Sequence, residues 1–466
     1  LGVSLQQFCL DLKEPWQKAL LILALVPLFP DYISFFLIIA ATVFAMMEIR
    51  ASKKKIQIGF IGKILMLFCA FQLISTTYSN SPLHTLVTAA MWWFFFLVYL
   101  IVTNLVNTAA RFDGFLLCIT GVAGLVGLIA CIQYRIGTFT DSNPIYFWSW
   151  LDNLVYEFLP LELSKTPYAL RAASTFSNPN ILAEYLVAVA PFVVYFNFCE
   201  RRKEIRIFCR VCLFLTFGGI IFSFSRGGYL ALLLLCAALI VLNIRHRFAA
   251  VSMYVFSAIL FLPEEVIKRL WTIGGGISSG SNIIENAINS SDLSYEATTE
   301  IINNAGAEFA VSERWKIWLE SLASFVERPI GGYGAGTHAT WEVFDEVGIS
   351  AVHAHNLVLQ IMLEGGIIAL VLMMIMGFKS LKNGVELIRG GYNSNSFWIG
   401  FSILSFAACF MLHGMVDHPL LTPKLVCNFI MILGIIECSS KIYTGRKFSV
   451  WKKIKHRLVD VKKSKG

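Results

Sequence analysis

Arg226 is the first residue in this chain whose type and setting point to chemistry. It stands in Phe222-Ser223-Phe224-Ser225-Arg226-Gly227-Gly228, between two apolar runs with almost no loop separating them. An arginine at mid-bilayer costs at least ~2.5–3.5 kcal/mol, so one kept beside apolar spans is read first as functional. Two readings stand: a side chain snorkelling to headgroups, or a fixed cation facing a phosphate-bearing lipid, which guanidinium can grip bidentately. Arg314, in Ser312-Glu313-Arg314-Trp315-Lys316-Ile317-Trp318, invites the same question. Alone it reads equally as the solvated face of a surface helix, but Trp315 and Trp318 suggest a helix held at the interface.

Histidine supplies the second kind of chemistry. His353-Ala354-His355-Asn356 immediately precedes a long apolar run. Histidines two apart do not share a helical face, and no cysteine or HExxH pattern accompanies them, so no metal is expected. One imidazole here is suited to act as a general base, because its ordinary pKa near 6.5 lets it take a hydroxyl proton at neutral pH. The bland alternative is a helix-start histidine bonding backbone. His413 and Asp417 are spaced i,i+4, close enough for a carboxylate to orient an imidazole or for a buried pair to fix packing; spacing does not choose.

Other candidates read as structural. Arg171 lies in a stretch that leads to Asn178-Pro179-Asn180, a turn followed by an asparagine helix cap. Gly331-Gly332-Tyr333-Gly334-Ala335-Gly336 lacks Walker spacing and reads as a flexible turn, so no nucleotide cofactor is expected. Cys209 and Cys212 form a lone CxxC at the start of an apolar run, which reads as packing. None of the eleven cysteines falls in the long outer segments, so no disulfide framework is expected.

The elements that must position these groups are membrane helices. Hydrophobic residues make up 57% of the chain and charged residues 15%, against about a quarter charged in soluble domains. A bilayer core needs roughly 20 apolar residues per helix. Runs of this kind give twelve spans: Trp16–Phe29, Tyr32–Glu48, Gly59–Thr77, Leu83–Val106, Phe112–Tyr134, Asn180–Phe198, Ile207–Phe224, Gly228–Leu242, Phe248–Leu262, Asn356–Phe378, Phe397–Met411 and Leu421–Cys438. The expected fold is therefore an all-α polytopic membrane protein.

Arg50 and Lys53–Lys55, then Arg201–Arg210, Arg245 with Arg247, and Lys379 to Arg389 fill alternate short loops, and the tail after Lys441 is basic. By the positive-inside rule both termini are cytoplasmic. This distribution accounts for the net charge of +8 without a nucleic-acid partner. Four regions follow: spans in 1–262 with an outer loop at 135–179, a large extracytoplasmic loop at 263–353, spans in 354–438, and a basic tail at 439–466. In the large loop, a polar stretch around Gly274–Asn304 gives way to helical spacing through Arg314, Trp315, Trp318, Leu319, Leu322 and Phe325, with Ser312 as cap and Pro329 as terminator. This predicts an amphipathic helix near the membrane surface.

Taken in order, several blocks resemble the O-antigen ligase and O-antigen polymerase superfamily of bacterial membrane glycosyltransferases. They are Arg171-Ala172-Ala173-Ser174-Thr175-Phe176-Ser177-Asn178-Pro179-Asn180, Phe224-Ser225-Arg226-Gly227-Gly228, Arg314 with Trp318, Pro329 through Gly334, His355-Asn356 with Glu364-Gly365-Gly366, and His413 to Pro419. The resemblance covers about residues 171 to 420; the earlier part matches only as hydrophobic helices.

It implies a glycan transfer on the outer face of the bacterial inner membrane. The donor would be a polyprenyl-pyrophosphate carrier and the acceptor a glycan or glycolipid, with no metal or other cofactor. The family's essential arginines map onto Arg226 and Arg314 and its essential histidine onto His355. Arg171, Asn356, His353, His413 and Asp417 are the expected substrate-binding residues. Ala369 stands where ligases carry a final glycine, so ligase and polymerase remain alternatives. A transporter or flippase is the rival from another class, but it should carry its ionisable residues near the midplane of repeated halves.

Overall fold

The computed structural model describes residues 12–53, 55–140, 147–148, 171–199, 202–242, 309–389 and 394–463. The described residues form thirteen α-helices: α1 Pro15–Leu25, α2 Asp31–Ser52, α3 Phe60–Ser75, α4 Pro82–Leu105, α5 Ala109–Thr140, α6 Pro179–Cys199, α7 Lys203–Phe222, α8 Arg226–Leu242, α9 Phe309–Glu327, α10 Thr337–Glu346, α11 Leu357–Ile388, α12 Asn395–Gly414 and α13 Pro423–Lys463. No strand occurs among them. Eight are long and apolar enough to cross a membrane, and α1, α3 and α8 are shorter apolar helices. Eleven of the twelve expected spans thus fall on helices; Phe248–Leu262 lies outside the described residues, as do the stretch Gly274–Asn304 and most of the two long outer segments.

Local chemistry sets the helix ends. α1, α4, α6 and α13 each begin on proline, whose missing N–H costs nothing in the first turn. Asn356 and Ser394 cap α11 and α12 through their side chains. The bundle is layered around α6, which is buried along 89% of its span, whereas α2 is buried along only 22%.

α5 and α7 approach most closely where glycines remove side chains. A Cβ at Gly127 would stand 2.2 Å from the Leu215 carbonyl oxygen, and one at Gly124 would stand 2.7 Å from Cys212 Sγ. Small residues of this kind let membrane helices pack backbone to backbone. Cys209 and Cys212 are buried in that contact, and every described cysteine is unbridged.

Two local expectations are corrected. α9 begins at Phe309, so Ser312 lies inside the helix rather than capping it. Ile317, Ser321 and Ser324 are buried and Trp318 packs against the same cluster, while Leu322 and Val326 are exposed.

The glycine-rich run after α9 is not a flexible turn. α11 breaks at Gly366, where φ is 59° and ψ −156°. A continuous helix would pair Leu363 O with the Ile367 N–H and Glu364 O with the Ile368 N–H. Each of these groups bonds the 329–334 segment instead: Tyr333 N–H to Leu363 O at 2.7 Å, Gly334 N–H to Glu364 O at 3.0 Å, Ile367 N–H to Pro329 O at 2.8 Å and Ile368 N–H to Ile330 O at 3.4 Å. A Cβ on Gly332 would sit 2.3 Å from Leu363 O, and one on Gly366 would sit 2.4 Å from Ile330 C. Glycine is required because two backbones touch there.

Candidate active site

Four turns at helix ends converge on one polar cluster. The turn from α7 to α8 presents Arg226 as the first residue of α8. Ser225 Oγ accepts the Gly228 N–H at 3.3 Å, and Phe224 adopts a left-handed φ of 53° to turn the chain. The turn into α11 presents His353 and His355. His355 is also left-handed, with φ 46°, and its N–H donates to His353 Nδ1 at 3.1 Å. Left-handed non-glycine residues cost on the order of 1–3 kcal/mol and persist where surrounding structure holds them. Ser174, in the Arg171 block, is a third.

Asp417, in the turn between α12 and α13, is the hub. Its Oδ1 lies 3.2 Å from His355 Nδ1 and accepts the His418 N–H at 3.0 Å. Its Oδ2 accepts from Asn180 Nδ2 at 3.0 Å. Asn180 Oδ1 in turn accepts from Arg171 at 2.6 Å, and Arg171 Nε donates to Ser223 O at 2.9 Å. Asp417 thus joins the Arg171 block, the turn before Arg226 and the histidine turn. The capping asparagine of α6 is Asn178, whose Oδ1 takes the Asn180 N–H at 2.8 Å, leaving the Asn180 side chain for Asp417.

Asp417 does not orient His413, the neighbour its i,i+4 spacing suggested. His413 lies inside α12 with Nε2 3.3 Å from Ser225 Oγ and Nδ1 3.7 Å from Glu184 Oε1. Its ring also backs the arginine turn: a Cβ on Gly227 would stand 2.7 Å from His413 Cδ2. Asn356 caps α11 by accepting from the Val358 and Leu359 N–H groups and ties it to Met415 O through Nδ2 at 3.1 Å. It positions the histidine turn.

The electrostatics match this convergence. Burial works to raise the Asp417 carboxyl, but the hydrogen bond with His355 and the charges of His355, Arg314 and His353 outweigh it and hold it below the usual carboxylate range. Burial, aided by the charge of Arg226, lowers the Arg314 guanidinium below its usual value while Asp417 works the other way. Arg314 therefore feels both Arg226 and Asp417. Burial, together with the charges of His355 and Arg314, lowers His353 to about 4, with Asp417 opposing.

His353, His355 and Asp417 offer ligand atoms within 4.8 Å of one another. The helical-spacing argument against a shared metal does not apply, because this turn is not helical. The donor chemistry argues differently: His355 Nδ1 and Asp417 Oδ1 face each other, and His353 Nδ1 already accepts the His355 N–H. His353 Nδ1, His355 Nδ1 and Asp417 Oδ1 are thus already engaged within the cluster.

Sequence reasoning quoted Asn180, Ser225 and His418 within their blocks without giving them a contact role, and it overlooked Glu184. Glu184 carried a usable signal: a lone carboxylate in an apolar span, four residues after Asn180 on the same helical face.

These features define a polytopic helical membrane protein whose carboxylate-paired histidine and interacting arginines gather where helix ends meet. Residues 211–374 match the family model described as O-Antigen ligase. The matched segment holds Arg226, Arg314 and the His353–Asn356 turn and stops before Asp417. No curated protein matches the chain.

Proposed function

We propose that the protein moves a glycan from a polyprenyl-pyrophosphate carrier to an acceptor hydroxyl, on the extracytoplasmic face of the bacterial inner membrane, without a metal. The observation that carries this reading is the cationic pair Arg226 and Arg314, coupled electrostatically beside an imidazole paired with Asp417. Two guanidiniums near one carboxylate leave an excess of positive charge that suits a diphosphate. The ionised Asp417 accepts a hydrogen bond from His355 Nδ1–H, which leaves Nε2 with its lone pair free to act as a base.

In the reaction the acceptor oxygen attacks the anomeric carbon from the side opposite the carrier. The new C–O bond forms as the bond to the carrier's phosphate oxygen breaks, with inversion. His355 Nε2 takes the hydroxyl proton, and Asp417 stabilises the imidazolium. The polyprenyl pyrophosphate leaves with the bonding electrons and is held by Arg226 and Arg314. Fixed donors aimed at developing charge typically contribute on the order of 10²–10³ in rate, and a positioned base roughly 10²–10⁴. The basic loops between α2 and α3, α6 and α7, and α11 and α12 lie at helix ends opposite the cluster, consistent with an outward-facing site.

Purified protein, a polyprenyl-pyrophosphate oligosaccharide and candidate acceptors should give transfer in chelator with no nucleotide. Arg226→Lys and Arg314→Lys should each lower kcat/KM for the donor by at least about tenfold, because a point charge cannot replace the planar fork. Transfer that needs added divalent ion, or full activity in either lysine variant, defeats the reading. The acceptor used most efficiently separates ligase from polymerase: a lipid A-core sugar in one case, a second carrier-linked glycan in the other.

A further inference from the structure

Side chains hold the main chain of the turn that presents His355. The His355 N–H goes to His353 Nδ1, and the Ala354 N–H goes to Gln360 Oε1 at 2.8 Å. Ala354 and Gln360 have no exposed surface. Water therefore does not compete for this bond, and a buried N–H is nearly always paired.

α11 does not need this glutamine for its own start. Asn356 accepts the Val358 and Leu359 N–H groups through its side chain and the Gln360 N–H through its main-chain oxygen. Three of the N–H groups that a helix start leaves without partners are thus accepted by one residue. The Gln360 side chain instead reaches back beyond the helix, to the residue between two histidines.

The far side of the amide is fixed as well. Gln360 Nε2 donates to Glu364 Oε1 at 2.8 Å and to Thr340 Oγ1 at 3.1 Å. Thr340 gives its own hydroxyl proton to Thr337 O at 3.0 Å, so its oxygen is the acceptor. The Glu364 carboxyl also accepts the Gly336 N–H. Turning the amide over would set its NH2 against the Ala354 N–H and its oxygen against the Glu364 carboxyl. One orientation satisfies every partner, and it ties Ala354 to α10 through Thr340 and to α11 through Glu364.

We propose that Gln360 is a positioning residue for the imidazole of His355. By holding the Ala354 N–H it fixes the left-handed turn at His355, and with it the approach of His355 Nδ1 to Asp417 Oδ1. Glu364 and Thr340 lock the amide that does the holding. The effect on turnover rests on the transferase reading above; the effect on the imidazole does not.

Solid-state nitrogen NMR of the full chain in lipid bilayers, with labelled histidine, reads the His355–Asp417 bond, and His355→Asn assigns its signal. Gln360→Met has nearly the same size but offers no acceptor. It should shift the His355 Nδ1 resonance and lower kcat by roughly ten- to a hundredfold, with donor KM changed by less than about twofold, as a misplaced base does. The exchange of Gln360→Glu with Glu364→Gln returns an acceptor to Ala354 and sets an amide donor opposite it, so it should restore both readings. Thr340→Val, which leaves the amide on Glu364 alone, should move both in the same direction by less, and it decides the matter if Gln360→Met does not fold. A role in packing alone would lower the folded yield of Gln360→Met without moving the His355 signal or kcat per folded molecule. That result, an equal loss of kcat and donor affinity, or an exchange that rescues nothing overturns the proposal. A wild type that transfers nothing removes the transferase reading, while the His355 signal still decides the role of Gln360.

Discussion

Asp417 faces His355 across 3.2 Å, with its other oxygen held by Asn180 at 3.0 Å. The carboxylate is therefore oriented from one side and orients on the other. This fixes the imidazole ring plane and its tautomer, as a carboxylate does in hydrolase triads.

Asp417→Asn keeps the size of the side chain but removes the charge and can present an amide to His355. Turnover should fall by roughly 10²–10⁴ with little change in donor KM, because the loss is felt only as the imidazolium forms. Asn180→Ala, which removes one support of the carboxylate, should have a smaller effect in the same direction. Single-turnover transfer with saturating donor measures both; equal activity of Asp417→Asn and wild type would remove Asp417 from the mechanism.

The left-handed backbone at His355 separates folding from chemistry. His355→Asn and His355→Gly should fold with near wild-type stability, because those residues tolerate φ near 46°. His355→Val should lose about 1–2 kcal/mol. All three should be inactive by the same large factor. Thermal unfolding in detergent alongside turnover checks the pattern, and a valine variant as stable as the asparagine one would contradict the strain.

Acid should destabilise the cluster. His353 is held near 4 and His418 near 3, in each case chiefly by burial, against an ordinary 6.5. The unfolded chain takes up protons at these sites below pH 6.5 while the folded protein resists until about 4 and 3. Stability is thus full above pH 6.5 and drains as pH falls through that window, and the depressed Asp417 adds loss of the same sign below the ordinary carboxylate range. The effect should be on the order of a few kcal/mol. Unfolding midpoints from pH 7 to 4 should fall, more shallowly for His353→Gln. A flat profile would mean these imidazoles already carry protons when folded.

Gly332→Ala and Gly366→Ala should both lower the yield of folded protein, since each adds a Cβ where another backbone already lies and each glycine has positive φ, 68° and 59°. Gly348 is the internal control. It also has positive φ, 74°, but open space around it, so Gly348→Ala carries strain without a clash and should be milder. Equal effects at all three positions would remove the packing argument.

The helices were legible in the sequence because long apolar runs have no other solution in a bilayer. Arg226 and His355 were legible because a charge and an imidazole at the ends of such runs demand a reason. What spacing could not reveal was pairing across the bundle. His413 and Asp417 are one turn apart, and local logic joins them. In three dimensions the end of α12 lets Asp417 swing to His355, while His413 stays in the helix facing Ser225 and Glu184. Gln72 lies far in the chain from His418 and Thr422, and only the meeting of α3 with the α12–α13 turn brings them to one cavity. The glycine run at 331–336 was misjudged for a related reason: glycine signals freedom when nothing lies beside it and a locked contact when another backbone does.

That contact has a mechanical consequence. The helix bearing Arg314 and the span that starts beside His355 are bonded through four main-chain hydrogen bonds at the break in α11. A shift of the 329–334 segment is therefore carried directly into the start of α11, and the end of the Arg314 helix and the histidine-bearing span are held in fixed register by main chain rather than by side chains.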